Sequence, residues 1–269
     1  MLKDITFGQY FECDSFIHKL DPRTKLILLV LVVVFIFVAG GWFSLAIVAL
    51  FIITTILLSK VPFKMYLKNL KAILPIIIFT MIINLFYNTG GKVLLTVWKL
   101  SITTGSVNRA LYMASRILLL IIISAVLTYT TTPNDLTDAI EKLLSPLRFI
   151  GLKNAVHTLA LMMTIALRFV PTLIEETQKI TNAQKARGAD LENGSLIERI
   201  KALIPILIPL LISSIRRAYE LAEAMECRCY NGGEGRQRMK QLKYKMCDTV
   251  TFLVTIGVCS AVIIINILL

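Results

Sequence analysis

Charge is absent from four long stretches of this chain. Residues 26–59 form an uncharged run of 34, residues 72–91 a run of 20 and residues 117–134 a run of 18, while the 21 residues after Asp248 carry no side-chain charge. About 20 apolar residues cover a hydrocarbon core about 30 Å thick. Each run is therefore read as membrane-embedded helix, and the fold class expected is an all-α membrane protein. Composition points the same way, with 56% hydrophobic and 17% charged residues, where a soluble domain has about 45–50% and about 25%. An ordinary soluble enzyme and a disordered chain are excluded. Five cysteines in 269 residues are too sparse, and odd in number, for a secreted disulfide scaffold.

The 34-residue run is long enough for one tilted span or two short ones. Charge placement decides between them. His18, Lys19, Arg23 and Lys25 precede the run, and Lys60, Lys64, Lys68 and Lys71 follow it. Positive-inside bias puts both groups in the cytoplasm, which two spans allow and one does not. The spans expected are 25–40, 42–59, 72–88, 109–129 and 248–269, with Gly40-Gly41 as the first turn. Between the third and fourth, Val93–Trp98 reads as a strand or a surface-lying segment. Arg116 falls within the fourth span. An intramembrane arginine is a functional candidate; the plainer reading is that it snorkels or pairs locally. No secretory leader is expected, because Asp4, Glu12, Asp14 and Asp21 occupy the first 25 residues and no early apolar run is present.

The remaining charge is concentrated. Residues 130–247 hold 17 Lys+Arg and 12 Asp+Glu, 29 of the chain's 46 charges. Three domains follow: 1–129 with four spans, a cytoplasmic block 130–247, and a last span 248–269. The block reads as three helices, two of them long. Thr132-Pro-Asn-Asp135 has the cap, proline and acid of a helix start. The second helix runs from about Asn154 to Lys185 and the third from about Ser195 to Cys229. Pro171, Pro205 and Pro209 are candidate hinges, or ordinary kinks. Arg216, Arg217, Glu220 and Glu223 suit charge pairs within one helix, and Glu175-Glu176 a solvated face. Two uncharged runs, Ala155–Leu167 and Ala202–Ile215, are too short to span and read as apolar helix faces lying on the membrane or on a greasy partner.

Both long helices end on an arginine between small residues, Ala186-Arg187-Gly188 and Cys227-Arg228-Cys229. An arginine at a helix carboxyl end offsets the macrodipole. Two such tips also suit insertion into two sockets, where a guanidinium offers five donors to carboxylates or carbonyls.

Other chemistry lacks its residues. There is no Gly-x-x-x-x-Gly-Lys-[Ser/Thr] phosphate loop. Gly232-Gly-Glu-Gly235-Arg236 reads as a turn. The two histidines, His18 and His157, lie far apart, and Cys227-x-Cys229 has no second pair, so neither a metal site nor a cofactor is expected. No catalytic grouping stands out, and the chain is not expected to be an enzyme. The basic excess flanks membrane spans, which favours the lipid bilayer over nucleic acid as partner. No internal repeat of the transporter kind is found.

Five ordered segments carry a family resemblance: Leu20-Asp-Pro-Arg-Thr-Lys25, Thr131-Thr-Pro-Asn-Asp-Leu136, Leu167-Arg-Phe-Val-Pro-Thr-Leu173, Ala183-Gln-Lys-Ala-Arg-Gly188 and Ala224-Met-Glu-Cys-Arg-Cys-Tyr230. Over nearly its whole length the chain resembles the transmembrane T subunits of energy-coupling-factor (ECF) transporters, the EcfT and CbiQ-like scaffolds. One departure is that Cys227 and Cys229 stand where the family often has Ala or Gly. The resemblance implies a non-catalytic subunit of an ATP-driven importer for vitamins or metal ions, multi-pass in the cell (cytoplasmic) membrane. Its partners would be two ABC ATPase subunits, a heterodimer, and a small substrate-binding membrane subunit. Ala186, Arg187, Gly188, Cys227, Arg228 and Cys229 would contact the ATPases. Leu159, Met162, Met163, Ala166, Leu203, Ile206, Leu207 and Leu210 would receive the substrate-binding subunit. The alternative function is a self-contained permease or channel, for which Arg116 and Asn84 are the available polar residues.

Overall fold

A computed structural model describes residues 10–86, 90, 93–97, 100–145, 153–189, 196–231 and 243–268. The glycine-rich segment 232–236, expected as a turn, lies outside them. The helices are α1 (Pro22–Val38), α2 (Trp42–Ser59), α3 (Phe63–Phe86), α4 (Thr104–Thr130), α5 (Pro133–Leu143), α6 (Lys153–Ala186), α7 (Leu196–Glu226) and α8 (Met246–Leu268). Between α3 and α4, β1 (Val93–Val97) pairs antiparallel with β2 (Leu100–Thr103), so the Val93 segment is a strand. The chain divides into two compact units, one of Gly8–Ala139 with Gln241–Leu269, the other built on Ile140–Lys240.

The long uncharged run is two helices, broken between Val38 and Trp42. Gly40 lets Asn266 approach the break closely: a Cβ there would lie 3.2 Å from Asn266 Oδ1, which would have to shift by a few tenths of an ångström. Among the described residues five helices are long and apolar enough to cross a membrane: α2, α3, α4, Thr158–Ala186 of α6, and α8. This set differs from the expected one at two helices. α1 has 17 residues, about 26 Å at 1.5 Å per residue, slightly under a hydrocarbon core. In α6 the run 155–167 continues past Arg168 and Pro171 without a break, so by length and composition the helix qualifies.

The first unit packs α1, α2, α4 and α8 around Val32, Ile36, Val48, Ile52, Leu119, Ile123 and Val262. In lipid, apolar burial between helices gains little, so close packing and polar contacts must hold a bundle together. The sequence supplies both. Ser44, Ser59, Ser106, Ala110 and Thr255 are buried small residues.

Polar latches close the two ends. At one end Asp21 caps α1, accepting from Arg23 N at 2.9 Å, with Pro22 beginning the helix. Asp248, in the first turn of α8, accepts from its own cap residue Lys245 N and from Asp21 N, both at 2.8 Å. A buried carboxylate thus satisfies orphan donors near the starts of two helices. Lys25 is buried, and its Nζ donates to the last carbonyl of α4, Thr130 O, at 2.8 Å and to His18 O at 3.5 Å. A cation at a helix carboxyl end is favoured by the macrodipole.

The segment before α1 is folded onto the same end. Phe11 N donates to Tyr129 O at 3.0 Å. His18 Nε2 donates to Phe11 O at 2.9 Å, and Nδ1 accepts from Ser15 Oγ at 2.6 Å. One neutral tautomer satisfies both contacts, and burial lowers the His18 pKa below its ordinary 6.5.

At the other end the α1–α2 turn leaves carbonyls without helical donors, a costly state in lipid. Asn266 Nδ2 donates to Val38 O at 2.6 Å, and its Oδ1 accepts from Gly40 N at 3.0 Å and Ser44 Oγ at 3.1 Å. Arg116 Nη2 donates to Ala39 O at 2.7 Å and to Tyr112 Oη at 3.0 Å. The Tyr112 hydroxyl also donates to Ala39 O. Trp42 packs edge-on against the Tyr112 ring, 5.5 Å between centroids. Arg116 thus pairs locally, with a carbonyl of the α1–α2 turn and with Tyr112.

Candidate functional site

The second unit carries the candidate site. Thr132 Oγ1 accepts from Asp135 N at 3.1 Å, the cap that starts α5. α6 and α7 follow as helices of 34 and 31 residues. Pro171, Pro205 and Pro209 lie inside them without ending them.

The two tips have the same backbone geometry. At the end of α6, Gly188 N donates to Lys185 O at 3.0 Å, Ala189 N to Gln184 O at 3.0 Å, and Gly188 has φ +88°. At the end of α7, Cys229 N donates to Glu226 O at 2.8 Å, Tyr230 N to Met225 O at 3.0 Å, and Cys229 has φ 58°. Both are Schellman motifs with a left-handed residue just after the arginine. Arg187 and Arg228 therefore occupy the same C-cap position, and both are exposed. Glycine takes the left-handed conformation without strain. Cysteine does so at a cost of about 1 kcal/mol, which is the physical content of the departure at Cys229. Cys227 and Cys229 are exposed free thiols.

α6 and α7 run antiparallel, as two contacts fix. Glu176 accepts from Ser213 Oγ, and Arg217 Nη2 lies 2.8 Å from Glu176 Oε2. Further along α6, Gln184 Nε2 donates to Pro205 O at 3.5 Å. Moving up α6 thus means moving down α7. Each arginine lies 11 residues beyond the Glu176–Arg217 pair, about 16 Å of helix, and the two tips point to opposite ends of the pair.

The residues expected to form contact faces differ in exposure. Leu159, Met162, Met163, Ala166, Leu203 and Leu207 are exposed. Ile206 is buried at 4% exposure and Leu210 is half-buried. The exposed apolar stripe on α7 includes Leu203 and Leu207 and extends through Ile200, Ile204, Ile208, Leu211, Ile212 and Ile215. A helical-period reading of the run 197–215, with Ile206 set inward, would have found it. Glu176 is not a solvated carboxylate; its partner Arg217 reaches it from the neighbouring helix. Asn84, like Arg116, is engaged by backbone, with Nδ2 2.8 Å from Thr80 O. Among the described residues no three His, Cys, Asp or Glu side chains stand together as metal ligands would.

The chain is similar in sequence to known proteins. A family model for CbiQ, described as cobalt transport protein, matches residues 14–240. The chain is 51% identical over 259 residues to the "Energy-coupling factor transporter transmembrane protein EcfT" of Ruminiclostridium cellulolyticum, covering 95% of each chain. It is 50% identical over 254 residues to the protein of that name from Clostridium kluyveri, covering 94% of this chain and 93% of that one. It is 43% identical over 249 residues to that of Bacillus subtilis, covering 93% of each.

Proposed function

The chain belongs to the CbiQ family of cobalt transport proteins, and from that premise we propose that it is the transmembrane component of an energy-coupling factor transporter. In this reading it works inside a complex and hydrolyses no ATP itself. Two ATP-binding-cassette subunits, a heterodimer, take the Arg187 and Arg228 tips. A small substrate-binding membrane subunit for a vitamin or metal ion packs on the exposed apolar faces of α6 and α7.

Residues 1–129 and 248–269 form the multi-pass membrane part. Residues 130–247 form the coupling part, which with the amino terminus faces the cytoplasm of the cell membrane. Closure of the ATPase pair moves the two sockets. Two long helices packed against each other carry that motion to their apolar faces, with Pro171, Pro205 and Pro209 as bend points. Such coupling requires contacts that differ between two arrangements of the complex.

The observation that carries this reading is the duplicated tip: two exposed arginines in the same C-cap geometry, at opposite ends of one antiparallel helix pair. A structural role in offsetting the macrodipole explains each arginine singly but not the matched pair of exposed caps. The alternative, a self-contained permease, needs a polar site inside the membrane part. Its candidates Arg116 and Asn84 are engaged by the carbonyls of Ala39 and Thr80, which favours the scaffold.

The test is a tagged Arg187→Glu/Arg228→Glu chain co-expressed with the ATPase subunits. Loss of ATPase pull-down, with membrane insertion intact, is expected. ATPases recovered at wild-type level would overturn the docking assignment.

A further inference from the structure

Gln184 and Glu176 face neither the proposed ATPase sockets nor the exposed apolar stripe; both reach across to α7. Pro209 has no N–H to give, so the carbonyl four residues before it, on Pro205, lacks its helical donor. Gln184 Nε2 lies 3.5 Å from that carbonyl oxygen. Glu176, eight residues earlier on α6, accepts from Ser213 Oγ and faces Arg217 Nη2 at 2.8 Å. Ser213 is in turn eight residues after Pro205 on α7. The two polar contacts are thus matched in spacing on both helices, about 12 Å apart along each.

That spacing has a mechanical meaning. Apolar helix faces slide and rotate over one another at little cost, whereas a polar contact fixes register. One polar contact is a pivot. Two contacts separated along both helices fix the crossing angle as well. Gln184 is also part of the α6 tip, because its own carbonyl accepts from Ala189 N at 3.0 Å in the Schellman cap. Its side chain and its backbone therefore tie the cap that presents Arg187 to the middle of α7.

We propose that Gln184 and Glu176 are positioning residues that lock the α6–α7 crossing at two points and so set the distance and direction between Arg187 and Arg228. This rests on the reading of the two arginines as docking points only for its purpose; the lock itself belongs to this chain alone.

The experiment is double electron–electron resonance on the full chain in lipid nanodiscs, without partner subunits. Nitroxides are placed on Cys227 and on Ala186→Cys, the equivalent position of the other tip. Cys13, Cys247 and Cys259 are changed to Ser, and Cys229 to Gly. A narrow tip-to-tip distance distribution is expected, lost in Glu176→Gln/Gln184→Ala. A distribution that stays equally narrow overturns the proposal, as does a broad one in the parent chain. Arg217→Gln/Gln184→Ala removes the same ion pair from α7 and serves if the first variant does not fold. Gln184→Lys keeps a donor for the Pro205 carbonyl and should stay narrow. Gln184→Glu, which offers only acceptors at neutral pH, should broaden. Equal broadening in both would remove the hydrogen bond to Pro205 from the lock. Because these distances are measured without ATPases, the pull-down of the Arg187→Glu/Arg228→Glu chain can fail or succeed independently.

Discussion

The bundle around Lys25 and the α6–α7 pair use the same polar residue types in opposite ways. In the bundle, arginine, lysine and aspartate are turned inward onto backbone. Lys25 reaches Thr130 O, Arg116 reaches Ala39 O, and Asp248 takes two backbone N–H groups. In the helix pair, two arginines are turned outward on capped tips, beside apolar faces that the chain leaves uncovered. The first region is closed by its own residues, whereas the second leaves charged tips and apolar faces open, the places the proposed function gives to partners.

Variants in the two regions should then fail differently. The largest effect on assembly is expected at the tips. Arg187→Glu/Arg228→Glu should weaken ATPase recovery by at least about 100-fold, since each lost charge-assisted contact costs several kcal/mol and the sites act together. Thermal unfolding of the isolated chain should be unchanged. Asp248→Ala should do the reverse. It leaves Asp21 N and Lys245 N without their acceptor and should destabilise the bundle by about 2–4 kcal/mol, read as a lower melting temperature in detergent. Arg116→Ala should cost less, about 1–2 kcal/mol, because Tyr112 still donates to Ala39 O. A loss of docking without a loss of stability in either bundle variant would erase the distinction.

Two smaller effects sharpen it. Cys229→Gly relieves the left-handed strain and should stabilise the α7 cap by about 1 kcal/mol with ATPase recovery intact; weaker recovery would mean that the thiol itself takes part in docking. The His18 latch should give a shallow pH dependence. Its folded pKa is lowered, chiefly by burial, below the ordinary 6.5 of histidine. The folded chain therefore binds fewer protons there than the unfolded chain. The latch's contribution is complete above about pH 6.5 and is lost as pH falls through and below that value. His18→Gln should flatten the slope of melting temperature against pH in that range.

Much of this was legible in the sequence where the signal is local. The basic groups around residues 26–59 split one uncharged run into α1 and α2. Thr132-Pro133 announced its cap and the Arg tips stood at helix ends, whereas the cap at Asp21, ahead of the expected start at residue 25, was not read. What escaped depends on register between distant elements. Glu176 looked solvated because nothing near it in sequence reveals Arg217 and Ser213 on the next helix. Arg216, Arg217, Glu220 and Glu223 suited pairs within α7, yet Arg217 spends its charge on α6. Arg116 was ambiguous because its partner is a carbonyl, and carbonyls carry no sequence signature. The length of the apolar stretch in α6 was underestimated because Arg168 and Pro171 look like boundaries while the helix runs through both.

The Asp248 contact also joins parts of the bundle that are far apart in sequence. The chain leaves the bundle after Thr130 and returns at Lys245, and both points are bonded to one short stretch, Lys25 holding the first and the Asp21–Asp248 contact the second. Asp21 and Lys25 are one helical turn apart, about 6 Å. The carboxyl end of α4 and the start of α8, more than a hundred residues apart in sequence, are therefore tied to a single helical turn at the start of α1, so that one turn of backbone fixes where both helices end.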